Sequence, residues 1–276
     1  MPAAIEWVTR HIPSLAGRLV LITGANSGIG FAAARLLAQR GGHVVLACRN
    51  PRRGEDALRR VQGFAPDATV ELLVLDLGDL AGIRAAVAEF AERHGHLEVL
   101  INNASVMATP LRRTADGFEL QFGTNHLGHF ALTGLLLPAL LGGVDPRVVT
   151  VSSGAHRSGR MRFDDPNWHN GYQRWAAYGQ SKLANLLFTF ELQRRSAAAR
   201  LPLIATAAHP GYTSTELQAH GPQMDYWGPG GRFELRGLPA RVPVSSATTD
   251  PTAARRLWEL SEQLTGVTFD ALSPAG

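Results

Sequence analysis

Short runs of Val, Leu and Ile alternate along this chain with longer stretches of helical character. "LVLIT" (19–23), "HVVLA" (43–47), "VELLVL" (70–75), "LEVLINNA" (97–104), "RVVTVSS" (147–153) and "PLIATAAHPG" (202–211) have the length and composition of strands. Between them, "GFAAARLLAQRGG" (30–42), "GEDALRRVQ", "LAGIRAAVAEFAERHG", the long stretch from Phe118 to Leu141 and the segment from about Ala176 to Ala199 read as helices, with Gly41-Gly42 as a helix stop. The strands are apolar throughout rather than at alternate positions, which predicts a parallel sheet buried on both faces by the intervening helices. The expected architecture is therefore α/β, a doubly wound parallel sheet of about seven strands in one domain spanning 1–276, with no repeat and no interdomain linker. Sheets of this kind take ligands at the carboxyl ends of their strands, and the polar and glycine-rich motifs fall at those ends.

"TGANSGIG" follows the first strand and opens the first helix. Gly24, Gly28 and Gly30 have the spacing of a dinucleotide-binding turn, with Asn26, Ser27 and Ile29 between them. In a Rossmann-type unit the first glycine permits the tight turn, the second lets backbone amides approach a pyrophosphate, and the third lets the helix pack against the strand. The helix N-terminus adds partial positive charge. At the end of the second strand, where an NAD site carries an acid for the ribose 2′-hydroxyl, this chain has Arg49-Asn50, and the next acid is Glu55. Arg49, helped by Arg52 or Arg53, suits a 2′-phosphate that a carboxylate would repel, so the expected cofactor is NADP(H). Asp76-Leu77, after the third strand, meets the adenine in this reading; an equally open alternative has Asp76 capping the next helix.

Composition narrows the field. With 276 residues, 45% hydrophobic and 18% charged, a folded core is expected. The net charge of +4 is spread over single and paired arginines rather than a dense stripe, which argues against a nucleic-acid surface. One cysteine, Cys48, excludes an internal disulfide and fits a reducing compartment. No leader-like or membrane-length apolar run is visible, so a cytoplasmic protein is expected, and the near-total use of Arg with abundant Ala suggests a GC-rich bacterial source.

The choice of Arg makes one exception stand out. "AAYGQSKLAN" (176–185) holds the chain's single lysine, Lys182, four residues after Tyr178. On a helix the two share a face. An ordinary phenol titrates near ~10 and is a poor acid or base at neutral pH; a nearby ammonium, with an oxidised nicotinamide, would favour phenolate and make it usable. A compact ammonium also fits a slot beside ribose hydroxyls that a guanidinium fork would not.

Together "TGANSGIG", "NNAS", the Asn of "TNHLGHF", "VSS" and "YGQSK" resemble the short-chain dehydrogenase/reductase superfamily over roughly residues 17–215. "VSSGAHRSG", "SKLANLLFTFEL", "HPGYTST" and "LWELSEQLTG" resemble its retinol-dehydrogenase-like branch. The resemblance implies a catalytic tetrad of Asn125, Ser153, Tyr178 and Lys182. Ser153 would hold the substrate oxygen, with Ser152 as the runner-up, and the Asn125 side chain would order a water on Lys182. It further implies that Asn103 and Ala104 line the adenine ribose, that Pro210, Gly211 and Thr213 meet the nicotinamide amide, and that Thr215 lies near the pyrophosphate. It places no metal. His126, His129, His156 and His209 match no ligand spacing and are expected to pack or cap, while Trp168, His169 and Trp175 precede Tyr178 and are candidates for the pocket mouth.

Two departures from the family pattern stand out. Ser105 replaces the glycine of the usual "NNAG", which would cost about 1 kcal/mol if the backbone there needs positive φ. After "HPGYTSTELQAHGPQ" the chain passes directly to "MDYWGPGGRFELRGLP", which resembles the last strand, so only Tyr212 to Gln223 remain for the crossover and the substrate lid is expected to be shortened or incomplete. The expected function is NADP(H)-dependent oxidoreduction of a hydrophobic small-molecule carbonyl or alcohol, with family habit implying a homo-oligomer. The alternative is a non-catalytic NADP(H)-binding redox sensor. An extended-family epimerase or dehydratase would need a longer C-terminal region.

Overall fold

The computed structural model describes residues 11–211, 226–231 and 238–272. Strands β1 (Leu19–Thr23), β2 (His43–Cys48), β3 (Val70–Val74), β4 (Val99–Asn102), β5 (Arg147–Val151), β6 (Ile204–Ala208) and β7 (Tyr226–Pro229) pair in parallel, and β8 (Pro239–Arg241) adds an antiparallel edge. The order is β3-β2-β1-β4-β5-β6-β7-β8. Eight strands replace the expected seven or so. β8 is three residues long, "PAR", and it carries no hydrophobic alternation that would announce it.

Period-two alternation splits each central strand between two cores. Leu19 and Leu21 of β1 point with Val45, Ala47 and Leu73 into one core, while Val20 and Ile22 point with Val44, Leu46 and Val70 into the other. The second core is closed by Ala34 and Ala38 of α1 (Gly28–Gln39) and Ala57 and Val61 of α2 (Pro51–Phe64). The first is closed by Ile83 and Phe90 of α3 (Leu80–Arg93), by Phe130 of α4 (Gly128–Leu135), by Leu137 and Leu140 of α5 (Leu137–Gly142), by Phe188 of α6 (Arg174–Ala198) and by Trp258 of α7 (Pro251–Thr265). The helix expected from Phe118 to Leu141 is broken: a short α-turn (Leu120–Phe122) leads into a π-turn (Gly123–Leu127) before α4, and Pro138 restarts the chain as α5. Such π-turns recur at functional sites.

β1 pairs with β2 on one side and β4 on the other, so successive crossovers diverge there and open a crevice above the carboxyl ends. The glycine turn, Arg49, Asp76, Asn103, Ser153, Tyr178, Lys182 and Pro210 all line cavities on that rim.

Candidate active site

The glycine turn forms one wall of a cavity of about 380 Å³. Gly24 has φ +67°, and a Cβ there would meet Ala104 Cα at 2.9 Å. A Cβ on Gly30 would lie 2.5 Å from Asn103 Nδ2 and 2.6 Å from Gly24 O, so only glycine lets α1 sit this close to the turn. Gly28 differs: its φ is +57°, but nothing lies within 4 Å of its missing Cβ. Helices α2, α3 and α7 are capped by the side chains of Asn50, Asp79 and Asp250, whereas Ser27 ahead of α1 makes no side-chain cap. The first-turn amides of α1 thus have no side-chain acceptor from the cap residue. Cys48 packs beneath the turn, its thiol pushed up to about 11 by burial.

Asn26, Ser27, Ile29, Arg49, Asn50, Asp76, Leu77, Asn103 and Ala104 all line this cavity. Arg53 lines it with Arg49, and Asn50 accepts from Arg53 N at 3.0 Å. The two readings of Asp76 separate: α3 is capped by Asp79, which accepts from Gly82 N, while Asp76 accepts from Gly78 N at 2.9 Å and faces the cavity.

A second cavity of about 640 Å³ shares Ile29, Asn103 and Ser105 with the first, so the two form one groove. Ser153, Tyr178, Lys182, Pro210 and Gly211 line it. Ser153 and Tyr178, 25 residues apart, face the same cavity, near enough that the Ser153 hydroxyl draws the Tyr178 phenol down. Ser152 is placed differently, its hydroxyl donating to Lys182 O at 2.9 Å. Lys182 is only 2% exposed; its Nζ donates to Val151 O at 3.1 Å and lies 5.7 Å from the Tyr178 ring centroid.

The protein's own groups do not produce the expected phenolate. Burial pushes Tyr178 above its ordinary value, outweighing the Ser153 hydrogen bond that draws it down. Burial also lowers Lys182 to about 7. Both groups are desolvated, and burial biases each toward its neutral form.

Asn125 sits inside the π-turn, and its side chain grips the loop after β4 and α6. Its Oδ1 accepts from Val106 N at 2.8 Å, and its Nδ2 donates to Val106 O and to Ser181 Oγ, both at 2.9 Å. It therefore ties the loop after β4 to α6 one residue before Lys182. Its carbonyl oxygen accepts from His129 Nδ1 at 2.9 Å, and His129 Nε2 lies 2.8 Å from Thr23 Oγ1. Burial lowers His129 to about 4, so the ring is neutral at pH 7. A carbonyl can only accept, which assigns the proton to Nδ1 and makes Nε2 the acceptor of the Thr23 hydroxyl. Thr23 Oγ1 in turn accepts from Asn103 N at 2.8 Å and Ala104 N at 2.9 Å.

Thr23, Val106, Ser181 and His129 were not legible as site residues, because a strand-terminal Thr or a helical Ser has no pattern of its own. Ser105 is not among the residues with positive φ, so the expected strain does not arise. Of the three candidates for the mouth, Trp175 lines the cavity beside Met107, and these side chains are 59% and 58% exposed. Trp168 instead lies buried, with Arg162 4.1 Å above its ring, and His169 donates its backbone N–H to Asp165 Oδ1 at 2.8 Å. Thr213, Thr215 and the shortened crossover lie outside the described residues.

The profile of the family described as short chain dehydrogenase matches residues 18–225. Human retinol dehydrogenase 11 is 40% identical over 93% of this chain and 88% of its own length; human retinol dehydrogenase 13 is 45% identical over 75% of this chain and 62% of its own. A crystal structure of an uncharacterised protein from Mycobacterium paratuberculosis superposes with a TM-score of 0.84 at 47% identity, covering 95% of this chain and 98% of that one. The glycine turn, the groove and these likenesses agree: the chain belongs to the short-chain dehydrogenase family, in its retinol-dehydrogenase-like branch.

Proposed function

We propose that this protein is an NADP(H)-dependent oxidoreductase that interconverts a hydrophobic aldehyde or ketone with its alcohol, using Tyr178 as the general acid and base. The observation that carries this reading is the meeting of Ser153, Tyr178 and the single lysine, one helical turn on, in a cavity continuous with the glycine turn. The groove fits a dinucleotide: Gly28 leaves open space at positive φ, the first turn of α1 is uncapped by side chains, and Arg49 and Arg53 line the end of β2 with no carboxylate between them. The nicotinamide supplies or accepts the hydride.

The chain's own residues do the rest. Ser153 and Tyr178 present two hydroxyls to one substrate oxygen, an arrangement that stabilises charge as it develops there. The raised Tyr178 keeps its proton at neutral pH, which suits donation to a carbonyl oxygen in the reductive direction. Lys182, lowered to about 7, holds a proton that is exchangeable at the same pH, and its contact with Val151 O fixes it beside the phenol. Met107 and Trp175 give the substrate cavity an apolar entrance. Asn103 and Ala104, positioned by Thr23, bound the ribose side, and Asp76 the adenine side.

The test is NADPH oxidation with a panel of aldehydes and ketones of increasing apolar length, retinal included. Turnover with wild type, loss of kcat by about 10²–10⁴-fold in Tyr178→Phe, and unchanged NADPH binding in that variant are expected. Tight NADPH binding with no turnover of any carbonyl, in either direction, would favour a redox sensor and overturn the enzymatic reading.

A further inference from the structure

The opposite end of the sheet carries a cluster that the active site does not use. His43 is the first residue of β2, and Glu71 is the second of β3. The register pairs Val45 with Glu71, so His43, two residues before Val45, projects from the same face of the sheet as Glu71. That is the face covered by α3, and His94 is the residue that ends α3, its ring 4.9 Å from Phe90 and 5.3 Å from His43. Three elements thus bring three side chains together at the edge strand. Both imidazoles present Nε2 to the same carboxylate: His43 to Oε1 at 2.5 Å and His94 to Oε2 at 3.2 Å. The ligand atoms of all three lie within 4.8 Å of one another, and no other such group of three His, Cys, Asp or Glu occurs among the described residues.

We propose that His43, Glu71 and His94 form a binding site for a divalent transition ion of the zinc class, about 20 Å from the nucleotide groove, the length of β2. Bond lengths of about 2.0–2.2 Å to each atom place ligand atoms roughly 3–3.5 Å apart, and the observed separations need only small side-chain movements to reach that. Two imidazoles with one carboxylate favour Zn²⁺ or its neighbours over Mg²⁺ or Ca²⁺, which take oxygen ligands. Arg93 NH1 donates to Glu71 Oε2 at 3.1 Å and NH2 to Glu89 Oε1 at 3.0 Å, the kind of outer partner that orients a ligating carboxylate. The three side chains are 30%, 24% and 11% exposed, so a fourth position is reachable from solvent. A bound ion would tie the edge strand β3 to β2 and to the end of α3. The competing arrangement is the two histidines hydrogen-bonded to Glu71, which needs no ion.

The experiment uses tag-free, EDTA-treated full-length protein, because a histidine tag would bind the probe. Isothermal titration and thermal unfolding are followed with ZnCl₂ and separately with MgCl₂. One equivalent of Zn²⁺ with a raised Tm, no response to Mg²⁺, and at least about tenfold weaker Zn²⁺ binding in both His94→Gln and Glu71→Gln are expected. His96→Gln, which removes a neighbouring exposed histidine that faces Glu98, should leave the affinity unchanged. Circular dichroism of each variant separates lost binding from lost folding, and the milder His43→Gln supplies a second test if Glu71→Gln does not fold. Absence of stoichiometric Zn²⁺ binding, or equal affinity in wild type, His94→Gln and His43→Gln, would overturn the site. NADPH turnover is not the readout, so this outcome is independent of the catalytic proposal.

Discussion

His129 Nδ1 lies 2.9 Å from the carbonyl oxygen of Asn125, four residues earlier, inside the π-turn that faces α6. Through Nε2 the same ring reaches Thr23 at the end of β1, 106 positions away in sequence, so one neutral imidazole joins the glycine-turn strand to the segment that clamps α6. His129→Phe keeps an aromatic of comparable bulk but removes both hydrogen bonds, leaving the Thr23 hydroxyl and the Asn125 carbonyl without this partner. Chemical denaturation should show a loss of about 1–3 kcal/mol. NADPH affinity should also fall, because Thr23 holds the amides of Asn103 and Ala104; full stability together with unchanged affinity would contradict the linkage.

Thr23→Val is the cleaner companion change. It preserves shape and removes the one hydroxyl that accepts two amides and donates to His129. Its stability cost should be similar to that of His129→Phe, and the double variant should cost clearly less than the sum, since the two share an interaction. A double-mutant cycle by urea unfolding measures this directly, with additivity as the contrary result.

Lys182 sets a pH dependence whose sign follows from burial. Its folded value of about 7 lies below the ordinary lysine value of 10.5. Between those two pH values the unfolded chain binds more protons than the folded one, so stability rises with pH across that window. Below about pH 7 both states are protonated and the full cost of the buried charge is present. Urea titrations of the protein without added cofactor at pH 7, 8 and 9 should show increasing stability, and Lys182→Met should flatten the slope. Lys182→Arg should be poorly tolerated, because the slot is 2% exposed and a guanidinium stays charged throughout.

Two glycines of the same turn should respond differently to alanine. At Gly30 the added methyl meets the backbone oxygen of Gly24 at 2.6 Å, which cannot move aside, so both stability and NADPH binding should drop, by about 1–3 kcal/mol in unfolding free energy. At Gly28 no atom lies within 4 Å, and only the left-handed backbone opposes the change, at about 1 kcal/mol. Thermal unfolding of the two variants side by side tests the ranking.

Cofactor choice is expected to turn on the end of β2. Arg49→Glu places a carboxylate where two arginines now line the groove. The ratio of kcat/KM for NADPH over NADH should fall by at least about tenfold, with most of the change in KM; an unchanged ratio would remove Arg49 from 2′-phosphate recognition.

Much of this arrangement was already present in local patterns of the sequence. Apolar runs located β1, β2 and β3 to within about a residue; for β1 and β2, burial on both faces leaves little polar alternation to blur them. Glycine spacing located the turn, because each glycine answers a backbone need within eight residues. The i, i+4 spacing put Tyr178 and Lys182 on one face of α6, where both line the groove. Other features depended on contacts between distant segments. Which serine faces Tyr178, what the Asn125 amide grips, whether Asp76 or Asp79 caps α3, and the meeting of His43, Glu71 and His94 are all matters of side chains brought together from separate elements. The sign of the Tyr178 shift belongs with them: helical spacing places an ammonium nearby, but only packing decides how much water both groups lose, and for Tyr178 that loss outweighs the pull of Ser153.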